Sequence, residues 1–201
     1  MIDVVMPNNN EKEFVRIAEK LGYKSLLFLY TFDNFINKKI FNNGTTKTYN
    51  GILANQKNIQ KVNNKFRNKK VFIAIKSSNS DRETIEEKQA NLVFSLEEKG
   101  RKDFMHQRGS GLDHILAKLA HQNNIILGFS LNSIINSNKR NVILGRIMQN
   151  IKLCRKYKVK TVIGSFTQNP MEMRSPQDIV SLFTTLGMTQ KEVKDSLNNV
   201  L

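Results

Sequence analysis

The chain has 201 residues, of which 39% are hydrophobic, and it carries a formal net charge of +15 at pH 7. This length predicts one domain over residues 1–201 with a sizeable core, and the composition excludes a disordered chain. No apolar run is long enough to span a bilayer and the N-terminus lacks a signal-peptide pattern, so we expect no membrane partner and a cytoplasmic location.

The positive charge is concentrated in one part of the chain. Residues 101–160 contain 12 Lys and Arg but only 2 acidic residues. Such an excess of positive charge predicts an acidic partner, and nucleic acid is the usual one. The lone Cys154 excludes an internal disulfide framework and suits a reducing compartment, and its place beside an apolar helical stripe predicts a small buried hydrophobe.

The N-terminal half alternates apolar strands with amphipathic helices. Strands are predicted at 2–5, 25–30, 49–54, 71–75 and 91–96. Helices are predicted at 10–21, closed by Gly22, at 33–41, around Ile59, Val62 and Phe66, and at 81–89. The continuous apolar run at 25–30 is typical of a parallel strand with helices on both faces of its sheet.

Residues 100–124 predict a basic, glycine-containing loop that leads into a helix. Ser110 is the predicted N-cap, with Asp113 three residues later as in a capping box. Four residues at helical spacing predict the apolar face: Leu112, Ile115, Leu116 and Leu119. The N-terminus of such a helix attracts anions such as phosphate, and three cations precede it: Arg101, Lys102 and Arg108. An ordinary capped helix after a solvated loop explains the pattern equally well.

The C-terminal half continues the alternation. Strands are predicted at 125–130 and 162–165, polar loops at 132–138 and 168–174, and a long helix at 140–157. The predicted apolar face of that helix holds Leu144, Ile147, Met148 and Ile151, with Arg146 pointing elsewhere. Ser175–Pro176 and a Thr189/Glu192 capping box each open a further helix. About seven strands alternating with helices indicate a parallel α/β fold. The pattern does not decide between an open sheet and a closed barrel.

The run R-G-S-G-L-D-H-I-L-A-K-L-A at 108–120 resembles the signature of the archaeal and eukaryotic ribonuclease P protein component 3 family. Similar segments follow in family order at 126–131, 146–159, 173–178 and 186–188. The resemblance extends over most of the chain and is specific from about 101 to 188. It implies a single-domain parallel (β/α) barrel of the triosephosphate-isomerase type with about seven strands.

The resemblance also implies a function. This chain is expected to be an RNA-binding protein subunit of ribonuclease P, supporting RNA-catalysed removal of the 5′ leader from precursor tRNA. Catalysis would belong to the RNA component with Mg²⁺, so no catalytic residue, metal or cofactor is expected in this chain. The implied partners are ribonuclease P RNA, precursor tRNA through the holoenzyme, and protein component 2 with the other protein subunits.

Loops after the strands carry function in barrels of this type. Eight cations are predicted on that rim: Lys76, Arg82, Arg101, Lys102, Arg108, Lys139, Arg140 and Arg174. The predicted RNA contacts are Arg101, Arg108, His114, Lys118, Arg140, Arg146 and Arg174. Any single cation of this kind is usually a solvated surface charge, so the argument depends on their sharing one rim.

Two alternative functions use the same residues differently. A stand-alone metal-dependent phosphoesterase of related barrel fold would use His106, His114, Asp113 and Asp3. The first strand, M-I-D-V-V-M-P, lacks the His-x-His pair with which such enzymes begin their metal cluster. A general basic RNA-binding protein of the ribosome would show no preference for ribonuclease P RNA.

Overall fold

Seven parallel strands form one sheet in which every strand pairs with the next one along the chain. The computed structural model describes residues 1–35, 45–67, 70–99, 102–105 and 107–199. The strands are β1 (Ile2–Val5), β2 (Ser25–Thr31), β3 (Lys47–Ala54), β4 (Phe72–Lys76), β5 (Leu92–Phe94), β6 (Ile126–Ser130) and β7 (Thr161–Gly164).

The first and last strands meet, so the sheet curls into a nearly closed barrel. The Phe166 N–H donates to the Val4 carbonyl at 2.7 Å, and the Met6 N–H donates to the Thr167 carbonyl at 2.9 Å. At the same seam the fully buried Asp3 carboxylate accepts bonds from the Ser165 N–H at 2.7 Å and the Ser165 hydroxyl at 2.6 Å. Asp3 therefore ties β1 to the end of β7, and burial raises the pKa of its carboxyl to about 6.

Helices lie between and after the strands. They are α1 (Glu11–Leu21), α2 (Phe32–Phe35), α3 (Ile59–Phe66), α4 (Asp81–Glu86), α5 (His114–Gln122), α6 (Leu131–Ile135), α7 (Arg140–Tyr157), α8 (Pro176–Thr185) and α9 (Gln190–Ser196). Short 3-10 turns occupy Leu96–Glu98 and Pro170–Glu172. Within the described ranges, no helix is both long and apolar enough to cross a membrane.

Strand alternation divides the core into two layers. Leu27 and Leu29 of β2 point into the barrel, where the Phe94 and Phe166 rings stack with centroids 4.3 Å apart. Leu26 and Phe28 of the same strand belong to the larger layer between sheet and helices. Both faces of the strands are thus buried, which is why their sequences are continuously apolar.

The predicted barrel is confirmed, and each predicted strand is found with ends shifted by at most a few residues. The polar loop predicted at 132–138 is wrong in part, because α6 begins directly after β6. Its N-cap Ser130 accepts from the Ser133 N–H at 3.2 Å, and Leu131 and Ile134 are buried. The predicted helix at 33–41 is observed as α2, and residues 36–41 lie outside the described residues.

The predicted start of α5 is wrong by three residues. Asp113, not Ser110, is the N-cap, and its carboxylate accepts from the Leu116 N–H at 2.7 Å. The cause is Gly111, which has a φ of +77° and packs so tightly that an added Cβ would lie 2.2 Å from the Leu96 carbonyl oxygen. Of the predicted apolar face, Leu112 and Leu116 are buried, whereas Ile115 is 47% exposed.

We therefore expect Gly111→Ala to destabilise the fold by more than about 2 kcal/mol, since it combines a strained φ with a backbone clash. Gly22 is the matched control, because it has a φ of +83° with nothing within 4 Å of an added Cβ. Gly22→Ala should lose only about 1 kcal/mol from strain. Urea unfolding measures both, and equal losses would disprove the clash with Leu96.

Candidate nucleic-acid interface

A cleft of about 760 Å³ opens at the C-terminal ends of the middle strands of the barrel. Lys76 ends β4, the 3-10 turn Leu96–Glu98 follows β5, α6 follows β6, and α7 begins beside them. The cleft is lined by Lys76, Glu98, Lys99, Lys102, Asp103, Asn132, Ser133, Asn136, Ser137, Asn138, Lys139, Val142, Ile143 and Arg146. This is the end of the fold at which β/α barrels carry their sites.

The lining has the chemistry of a phosphate-backbone surface. Its described residues include five cationic side chains and two acidic ones, together with amide and hydroxyl groups of 132–138. Such neutral groups donate hydrogen bonds to phosphate and sugar oxygens, while the cations supply the attraction. The polar composition of 132–138 was visible in the sequence, but its place in the cleft wall depends on the helix that the sequence did not predict.

Several charges in the cleft are paired within the chain. Lys76 Nζ lies 2.6 Å from a Glu98 oxygen, and the other Glu98 oxygen accepts the Ser133 hydroxyl. Lys99 Nζ lies 2.6 Å from the buried Asp81 carboxylate. Among the residues that the structure describes, Lys102 and Lys139 have no acidic partner within 4 Å. These two exposed lysines are therefore the best placed of the lining cations to receive an outside phosphate.

Arg146 differs from its predicted position, because it lies on the buried face of α7 and is 6% exposed. Its guanidinium donates to the Asp103 carboxylate at 2.9 Å, to the Glu97 carbonyl at 3.0 Å and to the Lys99 carbonyl at 2.7 Å. The ion pair with Arg146 also contributes to the lowered pKa of Asp103. The geometry assigns Arg146 to holding the segment that follows β5, instead of presenting its charge to a ligand.

Arg108 is half-exposed and lies across α7. An added Cβ at Gly145 would come within 2.5 Å of Arg108 Cζ, so the missing side chain at Gly145 provides the space for the guanidinium. The Gln149 side chain accepts the Arg108 N–H and donates to its carbonyl, both at 3.0 Å. Asp103 lies 3.4 Å from Arg108 Nη1. Arg108 is thus held in place by backbone contacts while about half of its side chain faces solvent.

Arg140 and Arg174 bind backbone carbonyls near them. Arg140 donates to the Ile134 and Ile135 carbonyls at 2.9 and 2.7 Å, which closes the C-terminal end of α6. Arg174 donates to the Met173 carbonyl at 2.8 Å, in the loop after β7. Both side chains belong to exposed residues, so each combines a local structural role with a positive charge at the surface.

The remaining predicted contacts lie around α5 or outside the described residues. His114 is the first residue of α5 and Lys118 lies one turn further along, and both are exposed. Arg101 lies outside the described residues. Of the predicted rim cations, Lys76, Lys102 and Lys139 line the cleft. Of the predicted RNA contacts, Arg146 lines it, whereas His114 and Lys118 lie on the neighbouring helix.

The metal-site alternative finds little geometric support. Asp3 is buried in the β1–β7 seam, while Asp113 caps α5. His114 is exposed, and His106 lies outside the described residues. Within the described ranges, no group of three or more His, Cys, Asp or Glu side chains is arranged to hold a metal ion. Burial also raises the pKa of the Cys154 thiol to about 12, in agreement with the buried, unreactive cysteine that the sequence predicts.

The family model and the curated relatives indicate one family. The model of the family described as RNase P subunit p30 matches residues 1–201. Ribonuclease P protein component 3 of Thermococcus kodakarensis is 38% identical over 101 residues, covering 49% of this chain and 43% of that protein. The Methanococcus vannielii protein of the same name is 24% identical over 206 residues, covering 95% of this chain and 86% of that protein.

The extent of these matches differs between relatives. The alignment with the Thermococcus kodakarensis protein spans less than half of that protein. A chain in the cryo-EM structure of archaeal ribonuclease P with mature tRNA has the same fold, with a TM-score of 0.78 and 23% identity. That match covers 100% of this chain and 89% of the other.

Proposed function

The chain belongs to the ribonuclease P subunit p30 family, and from this membership we propose that it is an RNA-binding protein subunit of ribonuclease P. In this proposal the RNA component, with Mg²⁺, removes the 5′ leader from precursor tRNA. The protein binds ribonuclease P RNA and assembles with protein component 2 and the other protein subunits. In this proposal the protein itself does not catalyse the cleavage.

The observation that carries the proposal, beyond the family itself, is the basic cleft at the C-terminal end of the barrel. In a folded RNA, neighbouring strands place their phosphates close together, and these phosphates repel one another. Cations such as Lys102 and Lys139 relieve this repulsion. Recognition of this kind follows the shape of the RNA backbone more than its sequence. Affinity should therefore fall steeply as the salt concentration rises.

Reconstitution tests the proposal directly. Cleavage of a precursor tRNA is measured with the cognate RNA and the other protein subunits, with and without this chain, and with the chain alone in Mg²⁺. Cleavage that needs the RNA and is stimulated by this chain supports the proposal. Cleavage by the chain alone would favour the phosphoesterase, and equal affinity for an unrelated structured RNA would favour a general RNA-binding protein.

The cleft makes a separate prediction. Lys139→Gln should weaken binding to ribonuclease P RNA and reduce the slope of log affinity against log salt by about one phosphate contact. Lys194→Gln is the matched control, because Lys194 is an exposed lysine of α9 that lines a groove with Met1 and Lys24 at the opposite end of the barrel. Filter binding at several salt concentrations measures both. Equal slopes for the two variants would remove Lys139 from the contact surface.

A further inference from the structure

Two large apolar side chains stand in solvent beside the basic cleft. Phe104 is 75% exposed and Met105 is 93% exposed, in the loop between the turn after β5 and the start of α5. Within the described part of the chain, no aromatic ring or cation packs on the Phe104 ring. The Phe104 ring therefore presents a flat apolar face on which a planar group of a partner can stack.

The base of this loop is fixed by hydrogen bonds. Asp103, immediately before Phe104, accepts bonds from Arg146 Nε at 2.9 Å and from the Gly109 N–H at 2.8 Å. The Phe104 N–H itself donates to the Gln107 carbonyl at 2.8 Å, which closes a tight turn. Because these bonds restrain the backbone at Asp103 and Phe104, binding through the Phe104 ring sacrifices less conformational entropy than binding through an unrestrained residue.

The charges around the ring indicate which kind of partner fits. Lys102 and Arg108 flank the turn and are exposed. Arg108 shares the Asp103 carboxylate with Arg146, whereas Lys102 has no acidic partner within 4 Å among the described residues. Lys102 also lines the cleft with Lys139. An apolar protein surface placed on Phe104 would face Lys102 and offer this cation no acidic partner. An RNA strand satisfies both features, because its phosphates pair with cations and its bases stack on aromatic rings.

We propose that Phe104 is a stacking platform for an unpaired base of the RNA whose backbone phosphates occupy the adjoining basic cleft. The inference deepens the proposed function and rests on it, because it assigns the RNA a single-stranded element at this loop. In paired RNA the faces of the bases are not accessible for stacking. The contacts between the cleft and the phosphates would therefore give affinity for any RNA, and Phe104 would give a preference for unpaired nucleotides.

Substitutions at Phe104 separate stacking from simple hydrophobic contact. The full chain is titrated with ribonuclease P RNA and with a 12-nucleotide oligouridine at several salt concentrations. Phe104→Leu should weaken binding about 5- to 100-fold while leaving the salt slope unchanged, since stacking releases no counterions. Phe104→Tyr should bind like the wild type, because it keeps the ring. The exposed position makes a folding defect in either variant unexpected.

Fluorescence gives an independent measurement. The sequence contains no tryptophan, so Phe104→Trp introduces the only indole of the chain. Its emission should be quenched when RNA is added, as stacking on a base requires. Tyr49→Trp is the control, since Tyr49 is 36% exposed near the start of β3, at the other end of the barrel, and its emission should not change.

Each alternative result has a defined meaning. If the chain binds RNA but Phe104→Leu matches the wild type and the indole is not quenched, the stacking proposal is overturned and the proposed function stands. If Phe104→Leu binds RNA normally but no longer assembles with the other protein subunits, Phe104 contacts protein and the proposal is likewise overturned. A wild-type chain that binds no RNA overturns both.

Discussion

Arg146→Ala is expected to lower the free energy of unfolding by about 2–4 kcal/mol, because it removes a buried guanidinium that donates to two backbone carbonyls and to the partly exposed Asp103 carboxylate. The change leaves the Asp103 carboxylate without its closest cation and removes the donor from the Glu97 and Lys99 carbonyls. The segment after β5 thereby loses one of its attachments to α7. Urea unfolding at neutral pH measures the loss.

Two controls make this result specific. Lys152→Ala removes an exposed cation from the same helix and should change stability by less than about 0.5 kcal/mol. Arg146→Lys keeps the charge but not the planar fork that reaches three acceptors, so it should recover only part of the stability. A loss below about 1 kcal/mol for Arg146→Ala would contradict the anchoring role and return Arg146 to the candidate RNA contacts.

The second large effect is expected at Glu97, whose side chain is fully buried at the turn after β5. Among the described residues, neither carboxyl oxygen of Glu97 makes a hydrogen bond of standard geometry. Burial therefore raises the pKa of the carboxyl to about 8, so that the folded protein holds the proton at neutral pH. The unfolded chain releases it near the ordinary value of about 4.3.

The sign of the pH dependence follows from this difference. Between about pH 4.5 and 8 the folded state binds a proton that the unfolded state has lost, so stability decreases as pH rises through that window. Each pH unit corresponds to about 1.4 kcal/mol, and the whole effect amounts to several kcal/mol. Glu97→Gln removes the titration and keeps the size, so the variant should be the more stable protein at pH 8.

The measurement is the difference in unfolding free energy between wild type and Glu97→Gln at pH 6.5, 7.5 and 8.5. Taking the difference cancels groups common to both proteins, and this range lies above the pKa of about 6 of the fully buried Asp3 carboxyl. The advantage of Glu97→Gln should grow as pH rises and level off above about pH 8. A difference that does not vary with pH would show that Glu97 is not buried as a neutral acid.

Comparison of the predicted and observed elements shows where local patterns suffice. The buried strands and α7 were predicted closely, because a continuous apolar run or a helical period is a property of neighbouring residues. The start of α5 was predicted wrongly. It depends on the close packing of Gly111 against the Leu96 carbonyl, which lies 15 positions away in the chain. The short α6 was missed because its five residues offer too little periodicity.

The candidate site shows the same division. The expectation of an acidic partner comes from the net charge, and the family resemblance comes from the motif at 108–120, both of which are properties of the sequence alone. Which cations remain available to that partner was decided by tertiary contacts. Arg146 has its partner 43 residues away in Asp103, and Lys99 has its partner in Asp81. The number of charged residues can be read from the sequence. Which of them are buried or paired depends on segments that come together only in the folded, nearly closed barrel.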